Sequence, residues 1–209
     1  MPKINVFEKY FKEYEDWFEK NRYIYLSELE AIKHFIPKSG EGIEIGVGTG
    51  RFTSPLGIKI GVEPSDAMRK IAEKRGIKVY KAVAENLPFN DKSFDFALLV
   101  TTICFVDDIV KTFQEAHRIL KNNGIIIVGF VDKNSPIGKI YQAKKDKSKF
   151  YKPATFYSTE EVINLLKEAR FKNLEIIQTI FGDPSKIQEL QKYKEGYGEG
   201  SFVVIKAQK

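Results

Sequence analysis

The stretch Ile43 to Phe52, IEIGVGTGRF, sets three glycines at alternate positions directly after a run that reads as a buried strand. Glycine tolerates positive φ and lets another molecule approach the main chain, at a cost in conformational entropy. Three of them at Gly46, Gly48 and Gly50 predict a strand that ends in a tight turn with something seated on it.

Outward from this turn the chain alternates strands with helices. The runs GIEIGV, GIKIGVE, GIKVYKA, FDFALLV and GIIIVGF are short, rich in Ile and Val, and bounded by Gly, Asp or Pro. Near-continuous hydrophobicity of this kind marks parallel strands covered on both faces. Helical spacing appears over residues 67–75 and over 108–120, where Ile109, Phe113, Ala116 and Leu120 share a face. Residues 158–170 open with a capping box, Ser158 and Glu161, and carry Val162, Leu165, Leu166 and Ala169 on one side. Two more β runs, NLEIIQTI and SFVVIKA, close the chain around a polar stretch. The expectation is a doubly wound α/β fold with a mostly parallel, seven-stranded sheet over residues 39–209. Residues 1–38 precede that sheet. Phe7, Tyr10, Phe11, Tyr14, Trp17 and Phe18 form an aromatic helix face there, a second helix follows over 26–35, and the pair is expected to form a lid over the glycine turn.

Composition narrows the function classes. With 209 residues, 43% of them hydrophobic, the chain can bury one sizeable core. Its longest apolar runs fall short of the roughly 20 residues of a membrane helix, and the charged N-terminus does not resemble a secretory signal, so a cytoplasmic protein is expected. One cysteine, Cys104, supports neither a disulfide framework nor a cysteine-rich metal site, and no metal is expected. The net charge of +6 is dispersed apart from KKDKSK at 144–149, which reads as solvated surface rather than a nucleic-acid footprint.

The neighbours of the glycines decide what the turn holds. Arg51 and Phe52 stand where a P-loop needs Lys and Ser or Thr, and Arg51 stands where the dinucleotide fingerprint needs its third glycine. A ligand without pyrophosphate fits better. Glu44 leads into the turn, and the second strand ends at Glu63, where a carboxylate can accept both hydroxyls of a ribose.

At this point residues 41–130 resemble the class I S-adenosylmethionine-dependent methyltransferases, within them the small-molecule type related to ubiquinone and menaquinone biosynthesis methyltransferases. EIGVGTGRF resembles motif I and GVEPS resembles motif II. KAVAENLPFNDKSFDFALLV resembles the adenine-contacting segment with the fourth strand, and EAHRILKNNGIIIVGF the helix, turn and fifth strand. The resemblance implies S-adenosyl-L-methionine as cofactor. It places Gly46, Gly48 and Gly50 beside the methionine portion and Glu44 at its amino group. Glu63, flanked by Pro64 and Ser65, would hold the ribose. Ala84 and Glu85 would frame the adenine, with Met68 and Leu87 as apolar neighbours, and Thr101 and Thr102 would stand between cofactor and acceptor.

Methyl transfer from a sulfonium is an in-line displacement in which alignment and exclusion of water are the protein's main contributions. No catalytic base is assigned, because His34 and His117 both read as helix scaffold and Cys104 as a small apolar side chain. The acceptor is expected to be a small molecule walled by aromatic residues: Tyr10, Tyr14 and Trp17 from the N-terminal face, Phe105 after the fourth strand, and Tyr151 and Tyr157, with Phe150 and Phe156, before the capped helix. An RNA or protein methyltransferase, and a nucleoside-binding module without catalysis, are the alternatives.

Overall fold

The computed structural model describes residues 3–209. Its centre is a sheet in the order β3-β2-β1-β4-β5-β8-β6-β7. β1 (Gly42–Ile45), β2 (Ile60–Val62), β3 (Lys78–Tyr80), β4 (Phe94–Val100) and β5 (Leu120–Val131) are mutually parallel. β6 (Lys172–Thr179), β7 (Lys194–Glu195) and β8 (Phe202–Gln208) join antiparallel. The sheet therefore has one strand more than the expected seven. The extra one is two exposed polar residues at the edge, with no hydrophobic alternation to announce it.

Alternation along β4 shows why its strand pattern looked continuous. Ala97 and Leu99 face one apolar layer, whereas Phe96, Leu98 and Val100 face the other. The first layer carries the faces of α4 (Ile109–Ile119) and α6 (Thr159–Glu168), including Phe113, Ala116, Val162 and Leu166. The second carries α2 (Arg22–Phe35), α5 (Pro136–Ala143) and Phe18 of α1 (Ile4–Lys20). α3 (Asp66–Lys74) follows β2 and packs Ala72 against Val47 and Ile77. Each of α3, α4, α5 and α6 starts on a side-chain cap, Ser65, Asp108, Ser135 and Ser158, and α6 has the full capping box.

The two N-terminal helices play different parts. α2 buries Ile24, Ala31, Ile32 and Phe35 under the sheet, so it is a piece of the core rather than half of a separate lid. α1 has a single fully buried residue, Phe18, bends at Tyr10, and lies across the carboxyl ends of the strands. Strand order reverses about β1, whose neighbours are β2 and β4, and a crevice opens there beyond the carboxyl ends. The turns after β1, β2, β3 and β4 all empty into it.

Candidate active site

Two cavities meet in this crevice. The first is lined by Gly46 and Gly48 from the turn after β1, by Glu63, Pro64 and Met68 after β2, and by Ala84 and Glu85 after β3. Thr101, Thr102 and Phe105 close it after β4, and Lys3, Ile4, Phe7 and Tyr14 of the N-terminal segment cover it. Gly48 sits at φ +54°, and a Cβ added there would lie 3.1 Å from the Tyr14 hydroxyl, so the turn passes directly beneath α1. Only a residue without a side chain fits that gap unstrained.

Glu63 is nearly buried and held from both sides. One carboxylate oxygen accepts the Gly48 amide at 2.9 Å and the other accepts the Ser65 amide at 2.9 Å. Burial pushes its carboxyl up to about 7, against the pull of these two amides. The carboxylate is thus oriented before any ligand arrives. Glu85 accepts the Asp107 and Asp108 amides at 2.7 and 3.2 Å, tying the β3 loop to the start of α4.

Four residues expected at the cofactor do not line this cavity. Glu44 points to the opposite side of β1 from its strand neighbours Ile43 and Ile45, where Thr53 donates to it, and burial pushes its carboxyl up to about 8. At Gly50 a Cβ would meet Ile77 Cδ1 at 2.5 Å, so its smallness serves packing against the end of α3 and the turn before β3. Ser65 caps α3 and donates its hydroxyl to Glu8 of α1 at 2.6 Å. Leu87 belongs to the apolar layer under α4.

The second cavity, about 290 Å³, shares Phe7, Tyr14, Thr101 and Phe105 with the first. Of the expected acceptor residues, Tyr14, Trp17, Phe105, Tyr151 and Tyr157 line it, together with Phe150 and Phe156. Tyr10 does not: its ring lies under Lys149 Nζ at 4.3 Å and meets the edge of Phe150 from behind the lining. Tyr141 of α5 stacks on Tyr151 with ring centroids 4.1 Å apart and was missed with α5 itself. Also missed was Glu28 of α2, 5% exposed and on the cavity wall. Its signal was available, because Ile24, Glu28, Ala31, Ile32 and Phe35 recur at helical spacing and an acid interrupts the apolar stripe.

Thr101 occupies the shared wall at φ +51°, an unfavourable backbone for a β-branched residue, fixed by its amide bonding to the Gly129 carbonyl at 2.8 Å. Cys104 also lines the second cavity, but burial pushes its thiol up to about 12, which leaves negligible thiolate at neutral pH. His34 is exposed and meets Tyr193, while His117 lies against Phe171, and neither faces either cavity.

α1 is tied across the mouth by polar contacts. Glu8 accepts from Ser65 and from the Ala67 amide, and Glu15 pairs with Arg51 at 2.9 Å and Arg75 at 2.6 Å while accepting from Thr49. Burial opposes ionisation of Glu15, but Arg75, Thr49 and Arg51 outweigh it and hold its carboxyl below the usual range. Arg51, which excluded two nucleotide motifs, is therefore an anchor for α1. No helix among the described residues is long and apolar enough to cross a membrane.

The chain is similar to several known proteins. The profile of a methyltransferase-domain family matches residues 43–128. An uncharacterized protein of Methanocaldococcus jannaschii is 55% identical over 206 residues, 99% of this chain and 100% of that one. The demethylmenaquinone methyltransferase of Staphylococcus saprophyticus is 27% identical over 69% of this chain and 76% of its own length. A crystal structure from Thermotoga maritima, described as a SAM-dependent methyltransferase and possible histamine N-methyltransferase, is 56% identical with a TM-score of 0.96, covering 98% of this chain and 99% of that chain.

Proposed function

The chain belongs to the class I S-adenosylmethionine-dependent methyltransferases and uses S-adenosylmethionine as its cofactor, and from that premise we propose that it methylates a small molecule held in the aromatic cavity. The observation that carries this reading is the shared wall: the cavity at the glycine turn and the aromatic cavity meet at Phe7, Tyr14, Thr101 and Phe105. At about 290 Å³ the second cavity is near the roughly 300 Å³ lower bound of ordinary ligand sites, which suits a small acceptor better than a polymer.

The residues of the first cavity fit the cofactor. The Glu63 carboxylate, fixed by two amides, has lone pairs left for a ribose diol, and Gly48 leaves room beside the main chain for the methionine portion. Met68 and Ala84 give an apolar slot for the adenine, bordered by Glu85. The bound cofactor supplies an electrophilic methyl group on sulfur. The chain's part is to align the acceptor with that methyl across the Thr101 and Phe105 wall and to exclude water with its aromatic lining. No side chain has to protonate a leaving group, since the departing thioether is neutral.

Opening of α1 completes the reading. The cofactor cavity holds only about 100 Å³ in the present position of α1, below the ordinary lower bound for ligand sites, so α1 acts as a lid that shifts to admit its ligands. The test is calorimetry with S-adenosylhomocysteine, followed by a screen of small amines, phenols, thiols and RNA for methyl transfer from labelled cofactor. Small-molecule turnover is expected. Transfer to RNA alone would overturn the acceptor class.

A further inference from the structure

The acceptor cavity carries charge of one sign. Its lining includes two carboxylates, Glu13 and Glu28, and no Lys, Arg or His. Glu13 is at the rim, half exposed and paired with Lys149 at 3.1 Å. Glu28 is different: it is 5% exposed, projects from the buried face of α2, and has no hydrogen-bond or ionic partner among the described residues. A buried polar group without a partner costs free energy, more so when it is ionised. Among the groups that feel its charge are the hydroxyls of Tyr14, Tyr141 and Tyr151, three phenols from three different segments around the cavity. Stacked Tyr141 and Tyr151, with Trp17 and Phe156 on the same lining, present π faces there.

We propose that the acceptor is an organic cation, an amine in its protonated form, whose charged nitrogen docks on the Glu28 carboxylate inside the aromatic cavity. This rests on the methyl-transfer reading and adds the substrate class. An ammonium supplies what Glu28 lacks, a donor and a countercharge, and the aromatic walls stabilise the same cation through their negative faces. Glu28 lines the second cavity and not the first. A protonated nitrogen has no lone pair to attack with. The methylated atom is accordingly a different one, carried on the part of the molecule that reaches Thr101 and Phe105.

The experiment uses three matched probes on protein loaded with S-adenosylhomocysteine: phenethylamine, 2-phenylethanol and phenylacetate. Emission of Trp17, the only tryptophan, reports binding because the residue lines the cavity. The amine should bind about tenfold or more tighter than the alcohol, and the acid more weakly than either. In Glu28→Gln, with S-adenosylhomocysteine affinity retained as the folding control, the amine's advantage should fall to about twofold or less, whereas Glu28→Asp should keep a preference for the cation. Equal binding of amine and alcohol to the wild type would overturn the proposal without any variant, and so would a preference that survives in Glu28→Gln. Failure of the wild type to bind S-adenosylhomocysteine in the first step would overturn the methyl-transfer reading, and the proposal with it.

Discussion

Replacing Glu28 with glutamine should change the pH dependence of stability even with no ligand present. Burial alone pushes the Glu28 carboxyl from 4.5 to about 8. Its folded-state value is thus raised above its unfolded one, so the fold is most stable with respect to this group below about pH 4.5, where it is protonated in both states. As pH rises the unfolded chain ionises freely while the folded chain resists, and stability falls until the folded group also ionises near pH 8. One pKa unit corresponds to about 1.36 kcal/mol, so the loss between pH 5 and pH 9 has a ceiling of about 4 kcal/mol. The amide in the Glu28→Gln variant cannot ionise and escapes this loss. For a chain of this size about 1 kcal/mol moves Tm by roughly 2 to 4 °C, so the variant's Tm should gain on the wild type by up to roughly 8 to 16 °C between pH 5 and pH 9. Glu44 and Glu63 are also raised, to about 8 and about 7, but both are present in either protein and cancel in the difference. The assay is scanning calorimetry of both proteins at pH 5, 7 and 9. A Tm difference that stays constant across that range would refute the reasoning, since any fixed packing effect of the amide is independent of pH.

Glu63→Ala should weaken S-adenosylhomocysteine binding by about 1.5 to 3 kcal/mol, the usual worth of hydrogen bonds to a charged group, and calorimetry giving wild-type affinity would remove Glu63 from the cofactor site. Gly48→Ala should cost roughly 1 to 2 kcal/mol of backbone strain and press on the Tyr14 hydroxyl 3.1 Å away, so cofactor affinity should drop while the thermal transition stays cooperative. The mobility of α1 is checked by hydrogen exchange over residues 5–20: saturation with S-adenosylhomocysteine should slow exchange and shift Trp17 emission, and no change in either would make α1 a fixed part of the core. Because the Glu15 carboxyl is held below its ordinary value, its clamp on α1 should be intact above about pH 4.5 and lost as pH falls through the folded value, with exchange in the same segment accelerating.

The fold was legible in the sequence because each parallel strand is buried on both faces and so prints an unbroken apolar run, which only a sheet between two helix layers can satisfy. Most of the lining of the first cavity followed, since residues just past the carboxyl ends of such strands must face the crevice at the point where strand order reverses. Glu44 and Gly50 show where that inference stops. Both adjoin the turn in sequence, but Glu44 projects from β1 on the face that Thr53 occupies, and Gly50 has already turned toward Ile77. Adjacency along the chain does not fix which side of the backbone a group leaves. α5 was overlooked although Ser135 and Pro136 are a regular helix start, because eight residues containing Gly138 give too few turns for periodicity to register.

Glu28 is the more instructive omission. An acid among Ile24, Ala31, Ile32 and Phe35 breaks an apolar stripe, and such a break has two physical outcomes that a sequence cannot separate. A Lys or Arg brought from a distant segment would make it a buried ion pair and a structural feature. Among the described residues no cation pairs with it, and the phenols that feel its charge come from segments more than 100 residues apart in the case of Tyr14 and Tyr141. In the empty protein protonation relieves that penalty, which is why the carboxyl rises to about 8, and the ligand that lets Glu28 ionise at neutral pH is one that brings a positive charge into the cavity.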